Sequence, residues 1–194
     1  MIAKEDVFSI RNEDDFNQIA LKVFQYQLEN NNVYAQYVKH LNMDFSAIHH
    51  YTQIPFLPIQ FFKTQTVSTL PNQPQLTFTS SGTTGMINSQ HHVYDLAWYE
   101  TSFRKAFEQF YGNVEEIAIL ALLPSYLERE GSSLIYMVDD LINSSQQPES
   151  NYFLYNHTEL HDILLRLQQK GTRTLLIGVT YALLDFIEKY PIDF

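Results

Sequence analysis

The chain has 194 residues, 45% hydrophobic and 18% charged, with a formal net charge of -10. That composition belongs to a folded chain with a core, and the acidic balance repels nucleic-acid backbones and anionic membranes. The absence of cysteine excludes disulfides, thiolate metal sites and a cysteine nucleophile; with no apolar leader and no run of about 18 apolar residues, a cytoplasmic protein without a membrane span is expected.

Asn12 and Asp14 are suited to cap a first helix, on which Phe16, Ile19, Ala20, Val23 and Phe24 recur at helical spacing. The run "ENNN" stops it. A second helix follows, with Tyr34, Tyr37, Val38 and Leu41 on one face. Pro55 and Pro58 keep the next segment extended, and "FFKTQTV" reads as a candidate strand, with a sheet edge as its expected place. "QLTFTSS" reads as a strand entering a glycine loop, and residues 93–111 as a long helix with Phe103, Ala106, Phe107 and Phe110 as its buried stripe. "EEIAILALLP" is a continuous apolar run, expected of a strand covered on both faces. Then come a helix in "SSLIYMVDDLI", a short strand in "YFLY" and an amphipathic helix closed by Gly171. A strand in "TRTLLIGV" and a helix in "TYALLDFIEKY" finish the chain. From residue 75 the order alternates strand and helix, which predicts an α/β fold with a mostly parallel, doubly wound sheet. Residues 1–70 form a helical and extended N-terminal appendage, and residues 71–194 the α/β portion. Four parallel strands leave an open edge, so a C-terminal remainder or an oligomer partner is expected to complete the domain.

The chemistry concentrates after the strand "QLTFTSS". Thr79, Ser80, Ser81, Gly82, Thr83, Thr84 and Gly85 combine hydroxyls with glycines that let backbone N–H groups converge on an anion. A following helix would add its positive end. Composition alone leaves a plain turn equally open. The loop is neither a Walker A motif, since no lysine follows Gly85, nor G-x-G-x-x-G. His91 and His92 follow closely, suited either to donate to phosphate or to sit as satisfied polar residues.

Ligands of open parallel sheets bind at the carboxyl ends of strands. Tyr126, Glu128, Arg129 and Ser132 lie past one such end, and the Arg129 fork suits a carboxylate or phosphate; the alternative is a solvated charge cluster. At another strand end Thr180 is placed as a helix cap, and Tyr181 either lines an acyl pocket or joins the core. His157 and His161 are four apart, but without a third ligand a solvated helix face is preferred to a metal site. Asp139 and Asp140 read as an exposed helix face rather than a magnesium pair. His49 and His50 have no evident partner, and G-x-S-x-G is absent.

"TSSGTTG" resembles the phosphate-binding signature of the adenylate-forming superfamily. The following "SQHHVYD", with "LALLPSYLEREGSSLIYMVDDLI" (residues 120–142) and "LLIGVTYALLDF" (175–186), is similar to its acyl-protein synthetase (LuxE-like) branch. The resemblance covers most of residues 75–190. It implies ATP-dependent activation of a carboxylic acid, fatty acids being the expected class. The acyl group of the resulting acyl-adenylate then passes to a thiol such as CoA or to an acceptor protein. It further implies that residues 79–85 wrap the β- and γ-phosphates, with Mg²⁺ neutralising the remaining charge. Many loops of the superfamily end Gly-x-Pro-Lys, where this chain has Met86, Ile87 and Asn88; His91, His92 or Arg129 are the substitutes at hand for that lysine. The superfamily's Tyr-Gly-x-Thr-Glu segment, ribose-binding aspartate and mobile C-terminal lysine are not found in the 194 residues. No catalytic residue is therefore assigned. A non-catalytic nucleotide- or acyl-binding module and a structural α/β domain stand as alternatives.

Overall fold

The computed structural model describes residues 2–80, 87–124 and 131–192. It divides into two compact units, Met1–Trp98 and Tyr99–Phe194.

The first unit starts with a short helix α1, Lys4–Phe8, and the long helix α2, Glu13–Asn30. Asn12 caps α2 by accepting from the Asp15 N–H at 2.9 Å, and three acidic residues fill the first turn, where the helix dipole favours them. Asn31 ends α2 and begins α3, Asn32–His40. It is the one buried polar residue among the described ones, with every polar group used. Its Oδ1 accepts from the Tyr34 N–H, its Nδ2 donates to Gln27 Oε1, and its own N–H donates to the Gln27 carbonyl. Phe24, Tyr34 and Val38 form the core of this unit, with Leu57 and Ile54 packed against it. The Tyr34 hydroxyl donates to the Pro55 carbonyl at 2.7 Å, and burial, then the nearby Tyr37, pushes its pKa up to about 12.

His49 and His50 find a structural role. Gln53 Oε1 accepts both of their N–H groups, and the His50 ring caps the 3-10 turn Tyr51–Gln53. The strand expected in "FFKTQTV" is instead a single helical turn, α4, Phe61–Thr64. Pro58 sets up a succession of tight turns ending in it: Phe61 N–H donates to the Pro58 carbonyl and Gln65 N–H to that of Phe61. Strand β1, Leu76–Thr79, then pairs antiparallel with β2, Gln90–Val93. This corrects two expectations. The strand before the glycine loop belongs to a hairpin rather than to the parallel sheet, and Val93, expected to start the next helix, instead ends strand β2. Helix α5, Leu96–Tyr111, begins only after Asp95, whose side chain accepts from the Trp98 N–H.

The second unit holds a parallel sheet of three strands, β3 (Ala118–Leu122), β4 (Asn151–Tyr152) and β5 (Thr174–Gly178), in the order β4-β3-β5. All five residues of β3 are fully buried because both faces are covered. Ala118, Leu120 and Leu122 pack with helix α7 (His157–Lys170) and with Phe186 of helix α8 (Thr180–Lys189). Ile119 and Ala121 face Phe107 of α5 and helix α6 (Ser133–Ser144). The α/β class and the doubly wound layering are as expected, with three parallel strands instead of four. Gly171 closes α7 in the left-handed conformation, φ 66°. The stripe expected on α5 is narrower: Phe103 and Phe107 are buried, while Ala106 is exposed and Phe110 is 78% exposed. The outer edge of β5 pairs with no strand among the described residues.

Candidate functional site

The glycine loop is the connection of the β1–β2 hairpin. Serine hydrogen bonds close its base: Ser80 N–H donates to the Ser89 carbonyl, and Ser89 N–H donates to Ser80 Oγ, both at 3.0 Å. Ser80 thus spends its hydroxyl on holding the loop shut, and exposed Thr79 pairs in register with Gln90. Ser81, Gly82, Thr83, Thr84 and Gly85 lie outside the described residues. The helix expected to follow this loop directly is displaced by β2, so no helix N-terminus comes immediately after it.

Opposed residues of an antiparallel pair share a face. His91 stands opposite Phe78 and Val93 opposite Leu76, which places His91 on the face that buries Phe78 and Val93. His92 stands opposite Thr77 on the other face, and its Nδ1 is 2.9 Å from Thr77 Oγ1. The His91 ring has no hydrogen-bond partner among the described residues. Lost solvent, and then the neighbouring His92, hold its pKa below the usual imidazole value. His91 is therefore a neutral group at pH 7 and does not replace the missing lysine as a charge.

The hairpin borders a cavity of about 460 Å³ within the first unit, reached by His91 from one face and His92 from the other. Phe16, Ala20, Val23 and Phe24 of α2 form one wall, Ile54 to Leu57 and Phe62 another, and β2 contributes His91 and His92. Sequence reasoning missed it. The signal was present in the exposed aromatics of "IPFLPIQFF", since Phe56 has no packing role that a turn demands, but the walls come from three distant segments.

In the second unit a smaller cavity of about 110 Å³ lies at the carboxyl ends of β3 and β4, lined by Leu123, Tyr152, Phe153 and Tyr155 among others. The helices after these strands leave to opposite faces, which makes this the switch point of the sheet. Of the residues placed here from sequence, Tyr126 and Arg129 lie outside the described residues. Ser132 caps α6, accepting from the Ile135 N–H. Tyr181, at the second position of α8, is 82% exposed and lines none of these cavities. Thr180 does not cap α8: Val179 occupies that position without a side-chain bond.

The remaining candidates are structural. Asp139 and Asp140 are not a free helix face. Asp140 takes a bidentate contact from Arg104 of α5, and Asp139 accepts from the Tyr152 hydroxyl at 3.2 Å and from Asn143. Burial, and then Asp139, raise the Tyr152 pKa well above the phenol range. His157 and His161 face α8 rather than solvent, packing on Phe186 and Tyr190. Among the described residues no group of three or more carboxylates or imidazoles is placed to hold a metal ion, and no helix is long and apolar enough to cross a membrane. No family model matches the chain, and no curated protein and no solved structure matches it either.

Proposed function

We propose that this chain carries the phosphate-gripping part of an ATP-dependent acid-activating reaction. The observation that carries the reading is the serine-clipped hairpin. Its closed base joins the paired strands on either side of a sequence segment, residues 81–85, that holds three hydroxyl side chains and two glycines. The resemblance of residues 79–85 and of the two later phrases to the acyl-protein synthetase branch supplies the reaction class. In that reaction a substrate carboxylate oxygen attacks the α-phosphorus of ATP and the bond to the β,γ-bridged leaving group breaks, giving acyl-adenylate and pyrophosphate. A thiol or protein nucleophile then takes the acyl group and releases AMP. The contribution of this chain is positional: N–H and hydroxyl donors of the segment between β1 and β2 stabilise charge on the departing phosphates. Among the described residues no set of carboxylates is placed to hold Mg²⁺, the Asp139–Asp140 pair being already engaged.

A non-catalytic nucleotide- or acyl-binding module is the second reading, favoured by Asn88 standing where related loops carry lysine. ATP–pyrophosphate exchange with a panel of carboxylic acids separates the two. Exchange above background supports activation, and saturable nucleotide binding without exchange supports the module. Gly82→Val is expected to abolish nucleotide binding, because a branched side chain blocks the approach of backbone to phosphate. A folded Gly82→Val protein with unchanged affinity would overturn both.

A further inference from the structure

We propose that the outer edge of β5 is a self-association surface, on which a second copy of this chain pairs its own β5 antiparallel across a twofold axis. Nothing blunts this edge. Free strand edges are normally protected by lysine, proline or a bulge, and "TLLIG", residues 174–178, has none of these along its unbroken register with β3. The inner side fixes the phase of its polar groups. Ala118 N–H donates to the Arg173 carbonyl at 2.9 Å, so residues 173, 175 and 177 turn their backbone groups toward β3. Thr174, Leu176 and Gly178 therefore turn theirs outward, where no strand meets them among the described residues. The occupant that satisfies alternate N–H and carbonyl groups along a strand is another extended backbone.

The layers on either side of the edge point to a second copy. Helix α8 leaves directly from the end of β5 and is apolar on two sides. Ala182, Leu183 and Phe186 pack inward, while Tyr181, Leu184 and Ile187, three residues apart, stay exposed. A helix apolar on two sides is ordinarily covered on both. In the opposite layer a groove of about 480 Å³ is lined by Leu175 and Ile177 of β5 and by Phe110 and Tyr111 of α5, both of them exposed. An isolated strand would satisfy the edge and leave α8 bare. A twofold axis perpendicular to the sheet sets β5 against β5, α8 against α8 in one layer and α5 against α5 in the other, so each bare apolar element meets its own copy. With Leu176 opposite its counterpart, Thr174 falls opposite Gly178, and all three outward residues exchange both bonds. The exposed parts of these side chains, at roughly 150–250 Å² for each whole aromatic, and the strand edge come to about 700–800 Å². That is close to the share of about 800 Å² that each partner of a stable complex buries. The pairing depends neither on residues 79–85 nor on nucleotide.

The test is sedimentation velocity of the full chain, without ATP, over about 1 to 200 µM, where a monomer–dimer equilibrium with a dissociation constant on the order of micromolar is expected. Leu184→Asp places a charge on the outer stripe of α8 and should weaken the dimer about tenfold or more. Thr174→Pro removes one outward N–H and leaves the inner ladder whole, because the Thr174 N–H does not donate to β3. It should weaken the dimer by a similar factor. Amide exchange followed by NMR on the unaltered protein keeps the proposal testable where a variant does not fold. The amides of Leu176 and Gly178 should slow as concentration rises, while those of Leu175 and Ile177, already bonded to β3, keep their rates. A chain that stays monomeric over the whole range overturns the proposal, as does growth past the dimer, which a closed twofold forbids. Loss of the dimer in Leu184→Asp alone, with Thr174→Pro and exchange at Leu176 unaffected, overturns the strand pairing.

Discussion

Replacing Asp140 by asparagine tests whether the Asp139–Asp140 pair is structural. The Asp140 side chain is 17% exposed and takes both the Nε and an Nη of Arg104, the first at 2.9 Å. Arg104 itself is half exposed and also lies 3.5 Å from Glu100, which in turn accepts from the Tyr136 hydroxyl at 2.7 Å. The bond from Asp140 is the leading cause that raises the Arg104 pKa further above its already high value, so the guanidinium is charged at every working pH. Asparagine keeps the shape and one acceptor, but turns an NH₂ toward the guanidinium. A buried charge-assisted pair loses about 3 kcal/mol and an exposed one under about 1. With one partner buried and the other half in water, and Glu100 left to hold Arg104, the loss is about 1–2 kcal/mol. For a chain of this length that lowers the melting midpoint by roughly 3–6 °C. A double-mutant cycle with Arg104→Gln should return a coupling of about 1 kcal/mol, shrinking in 1 M salt. Added Mg²⁺ should leave both melting curves in place. An unchanged midpoint in Asp140→Asn refutes the reasoning, as does stabilisation by Mg²⁺ of the unaltered protein alone, which would make the pair a cation site.

Three further outcomes follow from packing and titration. Phe107→Ala should cost about 3–4 kcal/mol in urea unfolding, since Phe107 is buried against Ile119 and Leu141, whereas Phe110→Ala, one helical turn on and exposed, should cost under about 0.5. Gly178→Ala should destabilise by about 1–3 kcal/mol in thermal melts, because an added Cβ would stand 3.1 Å from Leu122 Cβ, from the Leu122 carbonyl oxygen and from Leu183 Cγ. In NMR titration His91 should have a midpoint below the ordinary value of about 6.5, and His92→Ala should raise it. Because the folded value is the lower one, the unfolded chain binds the proton first. The stability tied to neutral His91 is present above about pH 6.5 and is lost as pH falls through the folded midpoint.

How far the sequence carried depended on how local each cause was. The strand "AILAL" was legible because a run buried on both faces needs no alternation, and α7 because its apolar stripe and Gly171 are encoded within fifteen residues. "FFKTQTV" misled: its residues favour strand, but Pro58 starts turns just upstream, and the segment pairs with no strand among the described residues. "QHHV" carries no strand signal of its own; its state is decided by pairing with residues 76–79, across the loop. The fate of Asp140 is set by Arg104, 36 positions away. The candidate site divides the same way. The hydroxyls and glycines of residues 79–85 stand out as a segment, but that Ser80 is spent on Ser89 and that His91, itself exposed, stands opposite Phe78 both follow from hairpin register. The cavity had no sequence signature because no single segment builds it.

The hairpin setting also decides what kind of anion site the loop can be under the proposed function. A loop running straight into a helix would gain the dipole's positive end, and one ending in lysine would gain a full charge. This loop has neither immediately beside it in sequence: β2 follows it, Asn88 stands at its closing base, and His91 is neutral. Affinity for phosphate must then come from uncharged donors, and binding that releases few counterions depends weakly on salt. Asn88→Lys restores the charge at an exposed position next to Ser89. An added ion pair of this exposure contributes about 0.5–1 kcal/mol, so ATP affinity should rise roughly two- to fivefold. The gain should fade between 50 and 300 mM salt, while adenosine binding stays unchanged. Unaltered ATP affinity in a folded Asn88→Lys protein, or an equal gain for adenosine, would mean that phosphate does not sit at this end of the hairpin.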